Sequence, residues 1–400
     1  MLEMHCAWPY RPGKAGADMR TVLGLDRLEE FEGIFRGKRI GLITNYSGVD
    51  SLWRVNVDLF MDRGLRIGKL FTPEHGMFGE GAGKEVGNDV YPKYQIPIHS
   101  LYGNHLRPEA EELADIDILV YDIQDVGLRY YTYIYTMTYC MEAAARAGIP
   151  FVVLDRPNPL GNRIVSGGTI LPEFASFIGD YGLPVRYGLT CGEVGHYFLA
   201  HRGLKLDYRV IPMENYTRDT YFSDTGLLWN IPSPALVDFH STICYCGGCF
   251  LEGSSLSAGR GSSKPFQMYG APYVKMEELY REMKAAVNED KVIFRQRAFV
   301  PVEREYAGEV CFGLEFAPLD KTLDFIPTAL QLMRQVVRLY PEQFTLSDQG
   351  QGNKHLHYLA GGRRIDDYLY GILSLEELLE EWRGQSARFE KETEAFRIYG

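Results

Sequence analysis

Acids that follow short apolar runs are the feature of this sequence best able to do chemistry. The run IGKLFT at 67–72 is followed by Pro73-Glu74-His75-Gly76, and IDILVY at 116–121 by Asp122-Ile123-Gln124-Asp125. FVVL at 151–154 leads into Asp155-Arg156-Pro157-Asn158-Pro159. Glu252 follows the apolar segment 242–251, which reads as a further strand, and opens a Gly- and Ser-rich loop, EGSSLSAGRGSSKPF. In an open α/β sheet ligands sit outside the carboxyl ends of the strands, so these acids are expected around one crevice. Two carboxyl groups in one crevice suit glycosidic bond hydrolysis. One protonates the leaving oxygen, the other stabilises or attacks the anomeric carbon, and their environments hold their pKa values apart.

Glu74 is the general-acid candidate, because glutamate is a poor helix cap and Gly76 permits a tight, exposed turn. Asp122, Asp125 or Glu252 is its candidate partner, and the sequence does not choose among them. Asp125 and Asn158 also read as caps of the turns that follow them. His75, Gln124, Asp125, Asp155 and Asn158 are expected as substrate contacts beside Arg129, Arg156 and Arg260, whose planar forks suit a substrate carboxylate. The competing reading is that each arginine neutralises a neighbouring acid; Arg260, between Gly259 and Gly261, has none beside it in sequence. Within Tyr130-Tyr131-Thr132-Tyr133-Ile134-Tyr135 most rings should be core, with Tyr131 the one expected to stack on a sugar face. His196 and His201 are off the i, i+4 spacing of a metal-binding helix face and read as structural.

Short β-branched runs alternate with longer helical stretches from about residue 20, the mark of βαβ units. The strand candidates are 39–44, 67–72, 116–121, 151–154 and 208–211. A helix is expected over 136–147, stopped by Gly148. After Gly270-Ala271-Pro272 the pattern changes to a helix at 276–287, strands at 292–297 and 309–316, and helices at 327–339 and 374–383. The expected fold class is α/β: a Rossmann-like, largely parallel sheet with helices on both faces, plus a smaller C-terminal α+β domain. The expected boundaries are an extension at 1–21, a Rossmann-like domain at 22–270 and the smaller domain at 271–400.

The chain of 400 residues is long enough for two domains, with 46% apolar and 24% charged residues, and 27 tyrosines give it a high aromatic share. A net charge of −11 without a Lys/Arg block argues against a nucleic-acid partner. The first twenty residues lack an apolar targeting core and no later run has the length to cross a bilayer, so the sequence reads as cytoplasmic with no membrane partner. Seven cysteines fit reduced thiols. Cys244, Cys246 and Cys249 could in principle hold a soft metal, but a matching ligand pair is missing and no metal is expected. Neither G-x-G-x-x-G nor a P-loop is present, so no nucleotide cofactor is expected, and no G-x-S-x-G elbow supports a serine nucleophile.

Taken in order, the motifs resemble the NamZ-like exo-β-N-acetylmuramidase family. The resemblance is carried by Gly24-Leu25-Asp26, Gly41-Leu42-Ile43-Thr44-Asn45, Thr72-Pro73-Glu74-His75-Gly76, Asp122-Ile123-Gln124-Asp125-Val126-Gly127 with Arg129, and Leu154-Asp155-Arg156-Pro157-Asn158-Pro159. Glu252-Gly253, Gly259-Arg260-Gly261 and Pro265-Phe266 complete it, so it runs from about residue 22 to the end. It implies a cleft where a Rossmann-like domain meets a smaller one, no cofactor, and release of N-acetylmuramic acid from non-reducing ends of peptidoglycan fragments, with Glu74 the matching glutamate. Relatives are often exported, which is the alternative to a cytoplasmic location. Two rival readings stand beside it: a metal-dependent hydrolase using His75, Asp122 and Asp155, and a cell-wall sugar-binding protein without turnover.

Overall fold

A computed structural model describes residues 20–81, 86–350 and 352–400. The expected extension at 1–21 and Cys6 therefore fall almost entirely outside the described residues. The main sheet has seven strands: β1 (Arg39–Thr44), β2 (Arg66–Thr72), β3 (Asp89–Tyr91), β4 (Ile96–Ser100), β5 (Ile118–Asp122), β6 (Phe151–Leu154) and β7 (Tyr208–Ile211). Their order is β3-β4-β2-β1-β5-β6-β7, and every pairing is parallel except that of β3 with β4. The short β3–β4 pair was not visible as apolar alternation, because β3 is largely exposed.

Alternation along the strands builds two cores, one on each face. Leu119 and Tyr121 of β5 point into the core formed with helices α3 (Tyr133–Ala147) and α4 (Cys191–Arg202). Ile118 and Val120 point to the other face, against Val57 and Phe60 of α1 (Asn56–Asp62). A one-turn helix, α2 (Ala110–Leu113), leads into β5. The expectation of a Rossmann-like sheet with helices on both faces holds.

The segment at 242–251, expected as a strand, is instead the helix α5 (Phe239–Gly248), continued by a 3-10 turn over Cys249–Gly253. Asp238 caps it, accepting from Ser241 N at 2.6 Å. A run buried on all sides carries no period that separates helix from strand, and length alone misleads here. A three-stranded antiparallel sheet follows, ordered β8-β10-β9, from β8 (Met268–Ala271), β9 (Val292–Phe299) and β10 (Cys311–Pro318). Helices α5 and α6 (Met276–Ala286) pack on it, and α7 (Ile326–Leu339) packs against both of them. Helices α8 (His355–Ala360), α9 (Arg364–Leu369) and α10 (Leu375–Thr393) close the chain. The larger of the two cores runs without a break from β5 to Phe389 of α10, which holds the main sheet and the smaller unit together. No helix among the described residues is long and apolar enough to cross a membrane.

Candidate active site

An open cleft of about 220 Å³ lies between the main sheet and the smaller unit. Its wall on the sheet side is the turn after β2 with Glu74 and His75, and the entry to α3 with Tyr131 and Thr132. The opposite wall holds Glu252 from the 3-10 turn, Arg260 from the loop that follows, Arg304 from the β9–β10 connection and His355 at the start of α8. Five residues singled out from sequence, Glu74, His75, Tyr131, Glu252 and Arg260, thus line one cavity.

Glu74 is held by a tight turn. His75 has φ +77° and Gly76 φ +75°, and a Cβ at residue 76 would come within 2.9 Å of Glu80 Oε1. A left-handed non-glycine residue is uncommon, and such residues concentrate at functional sites. The His75 ring fixes the turn by donating from Nδ1 to the Gly81 carbonyl at 2.9 Å, an assignment set by that acceptor. The Glu74 carboxyl accepts from the Thr132 hydroxyl at 2.9 Å, and among the described residues no lysine or arginine pairs with it.

Glu252 is placed oppositely. Both its oxygens face the Arg260 fork, Oε1 against Nε and Oε2 3.0 Å from Nη2, with the Cys249 thiol 3.6 Å from Oε2. Burial by itself would raise the Glu252 carboxyl, but the Arg260 guanidinium outweighs that and holds it below the usual carboxylate range. Arg260 also lies over the Phe266 ring at 4.8 Å. Gly253 lets α8 approach, since a Cβ there would sit 2.7 Å from the Leu356 backbone nitrogen. Glu252 and His355 are thereby brought to the same wall.

The other strand-end residues do not converge on this cleft, which corrects the expectation of a single crevice ringed by all of them. Asp122 is fully buried, paired with Arg156 Nε at 2.6 Å and accepting from Asn56 Nδ2 at 2.6 Å. Arg156 donates onward to the Val49 carbonyl, and with Gln124 it borders a separate small crevice beside Ser47 and Trp53. Asp155 accepts from Thr190 Oγ1, Gly192 N and the Tyr399 hydroxyl, so it binds the start of α4 and the chain end to β6. Arg129 has no exposed surface and donates to the carbonyls of Gly168, Leu183 and Leu359, joining the loop after β5 to α8. Asn158 accepts from Leu160 N and donates to Leu189 O, as a turn residue does.

Asp125 accepts from Gly127 N at 2.7 Å and from the Tyr187 hydroxyl, while its Oδ1 has no partner. Burial raises its pKa to about 6. A raised folded-state value adds stability at low pH that is lost as pH rises through about 6. Between pH 8 and 5 the gain attributable to Asp125 is expected to be on the order of 1 kcal/mol. Denaturant titrations should show that much less gain in Asp125→Asn than in the unaltered chain; equal gains would contradict it.

Sequence reasoning missed Thr132, Ser233, Arg304 and His355. Arg304 lies among acids, in Glu303-Arg304-Glu305, which reads as a neutralised surface cluster. In the fold it has φ +63°, lines the cleft and makes no ion pair among the described residues. Nothing in its sequence neighbourhood signals that. Cys244, Cys246 and Cys249 are buried free thiols, and no group of three His, Cys, Asp or Glu side chains placed to hold a metal occurs among the described residues. The metal-dependent reading required His75, Asp122 and Asp155 around one ion, but the two aspartates are committed to the contacts above.

One arginine-locked carboxylate and one hydroxyl-bonded glutamate across a cleft, on a Rossmann-like sheet joined to an α+β unit, form a glycoside hydrolase type of site. The family model described as Exo-beta-N-acetylmuramidase NamZ, N-terminal, matches residues 40–240, and its C-terminal counterpart matches 243–399. The chain belongs to the NamZ exo-β-N-acetylmuramidase family. It is 38% identical over 397 residues to the peptidoglycan β-N-acetylmuramidase NamZ of Bacillus subtilis (strain 168), covering 98% of this chain and 95% of that one. Two solved structures of DUF1343 family proteins from Bacteroides fragilis NCTC 9343 share the fold. One has a TM-score of 0.86 at 29% identity, covering 96% of this chain and 100% of that one. The other has a TM-score of 0.73 at 25% identity, covering 95% and 99%.

Proposed function

We propose that this protein is an exo-acting glycoside hydrolase that releases N-acetylmuramic acid from the non-reducing ends of peptidoglycan fragments, with Glu74 as the acid. The observation that carries the assignment of roles is the contrast between the two glutamates of the cleft. Glu252 is a fixed anion because Arg260 grips both its oxygens. Glu74, bonded to a hydroxyl, is the group free to give a proton to the leaving oxygen and to take one back from water. Negative charge held at Glu252 stabilises the positive charge that develops at the anomeric carbon and ring oxygen.

Muramic acid carries a lactyl carboxylate, and Arg304 is a cleft arginine that makes no ion pair among the described residues, although Glu252 and Glu305 lie near enough to feel its charge. Arg260, expected from sequence to bind that group, is already engaged by Glu252. Arg304 is therefore assigned the lactyl carboxylate, through charge-assisted hydrogen bonds.

Incubation with a chromogenic muramic β-glycoside and with a glycan fragment ending in muramic acid tests the reading. Free N-acetylmuramic acid should appear from the non-reducing end together with a fragment one sugar shorter. Cleavage inside the chain, or binding without release, would contradict it.

A further inference from the structure

We infer that the turn bearing Trp53 and the crevice beside it form a second saccharide site, which holds the leaving part of a glycan fragment outside the catalytic cleft. The inference rests on the muramidase reading of that cleft. Trp53 is 52% exposed and has φ +64°. A bulky residue in the left-handed region is a true outlier, and such strain persists only where the surroundings impose it. Here Asp50, itself buried, imposes it: its Oδ1 accepts from Leu52 N at 2.9 Å and Arg54 N at 2.8 Å, and its carbonyl accepts from Trp53 N at 3.0 Å. The carboxyl of Asp26 fixes the same turn by accepting from Ser51 N at 2.9 Å. A rigid, strained turn thus holds a large indole out in water, with no gain to the fold.

Facing Trp53 across the crevice is Leu228, also exposed. The crevice between them, about 30 Å³, is edged by Ser47, Gln124, Asn230 and Arg156. Arg156 Nη1 and Gln124 Oε1 make no hydrogen bond among the described residues, although both side chains are otherwise buried and tied down. That volume admits roughly one small group and no whole ring. A flat apolar platform beside a narrow polar slot matches a pyranose: the C–H face lies on the indole, and an acetamido or hydroxymethyl group enters the slot. The net charge of −11 disfavours a nucleic acid on the same platform.

The crevice is also continuous with the catalytic cleft. Leu227, Leu228 and Asn230 line the crevice, and residues 233–237 of the same segment line the cleft, with Ile231 exposed between them. Asn230 Nδ2 donates to the Tyr46 carbonyl at 3.2 Å. The Tyr46 ring in turn lies against Gly79, in the loop that carries Glu74, so closely that a Cβ there would come within 3.0 Å of it. In an exo-acting enzyme only the terminal sugar enters the cleft of the acid, and the rest of the strand must run out over the surface. Trp53 stands on a surface that adjoins the cleft and is built to receive it.

Trp53→Gly tests this on two peptide-free glycan fragments, of two and of six sugars, that share a muramic non-reducing end. The expected result is a KM raised about 5- to 30-fold on the six-sugar fragment, the loss of one stacked ring, with kcat unchanged. The two-sugar fragment should be cleaved as before, and Trp53→Tyr, which keeps a flat ring, should recover most of the affinity. The melting temperature should be unchanged or higher, because glycine relieves the strain at φ +64°. An unaltered KM on the long fragment would overturn the inference, as would equal losses on both lengths or a melting temperature lowered by several degrees. A sedimentation coefficient that falls in the variant would also overturn it, by showing that a second copy of the chain covers Trp53. If the unaltered protein cleaves neither fragment, the muramidase reading fails together with this inference; if it cleaves both and Trp53→Gly matches it, the inference fails alone.

Discussion

Glu74→Gln is expected to lower kcat on a muramic β-glycoside by about 10²- to 10⁴-fold, the usual range for loss of a positioned general acid. The amide oxygen can still accept from the Thr132 hydroxyl, and the turn around residue 74 is held by His75 and Gly81 rather than by the carboxyl. The fold should therefore survive, with a melting temperature within a few degrees of the unaltered chain. The effect should shrink on substrates whose leaving group is already acidic, such as a nitrophenyl glycoside, because such a group departs without a proton. Equal losses on poor and good leaving groups would show that residue 74 does something other than donate a proton.

The second large effect concerns Arg304. Arg304→Leu is expected to reduce kcat/KM for muramic glycosides by about 10- to 100-fold, the range for one hydrogen bond to a charged group. The side chain is exposed at the cleft wall, so the lower part of that range applies at high salt. A glucosamine glycoside, which lacks the lactyl group, should be handled equally by both proteins. The selectivity ratio between the two sugars is the informative quantity, since general damage to the cleft would depress both. A variant that loses activity on both sugars in parallel would remove Arg304 from the lactyl site.

Much of the sheet was legible in the sequence because β1, β2, β5, β6 and β7 are apolar runs bounded by turn residues. Buried parallel strands announce themselves in that way. The short, exposed β3 and the all-round buried α5 were not legible, the first for lack of apolar contrast and the second for lack of period. The site was half legible. Strand ends do carry the acids, but Asp122 and Arg156 neutralise one another across adjacent strands and so fill the crevice they were expected to open. Asp155 is likewise occupied by Tyr399, a residue 244 positions away in sequence, which no local pattern reveals.

The cleft instead forms beside β2, where the smaller unit closes over the turn of Glu74. Glu252, expected at a strand end, reaches it from a 3-10 turn after a helix. Arg260 and Arg304 could not be told apart in sequence. Arg260 has no acid beside it in the chain but Glu252 in space, while Arg304 has acids on both sides in the chain and no ion-pair partner among the described residues. Pairing is decided by tertiary geometry, and sequence proximity is a poor guide to it.

A crystal structure of Glu74→Gln with an uncleaved muramic β-glycoside bound bears most directly on the account. The sugar should lie in the cleft with its glycosidic oxygen within hydrogen-bond distance of residue 74, the Glu252 carboxylate on the opposite wall still gripped by Arg260, and the lactyl carboxylate against Arg304. A glycoside bound elsewhere, or seated in the cleft with its glycosidic oxygen turned away from residue 74, would contradict it.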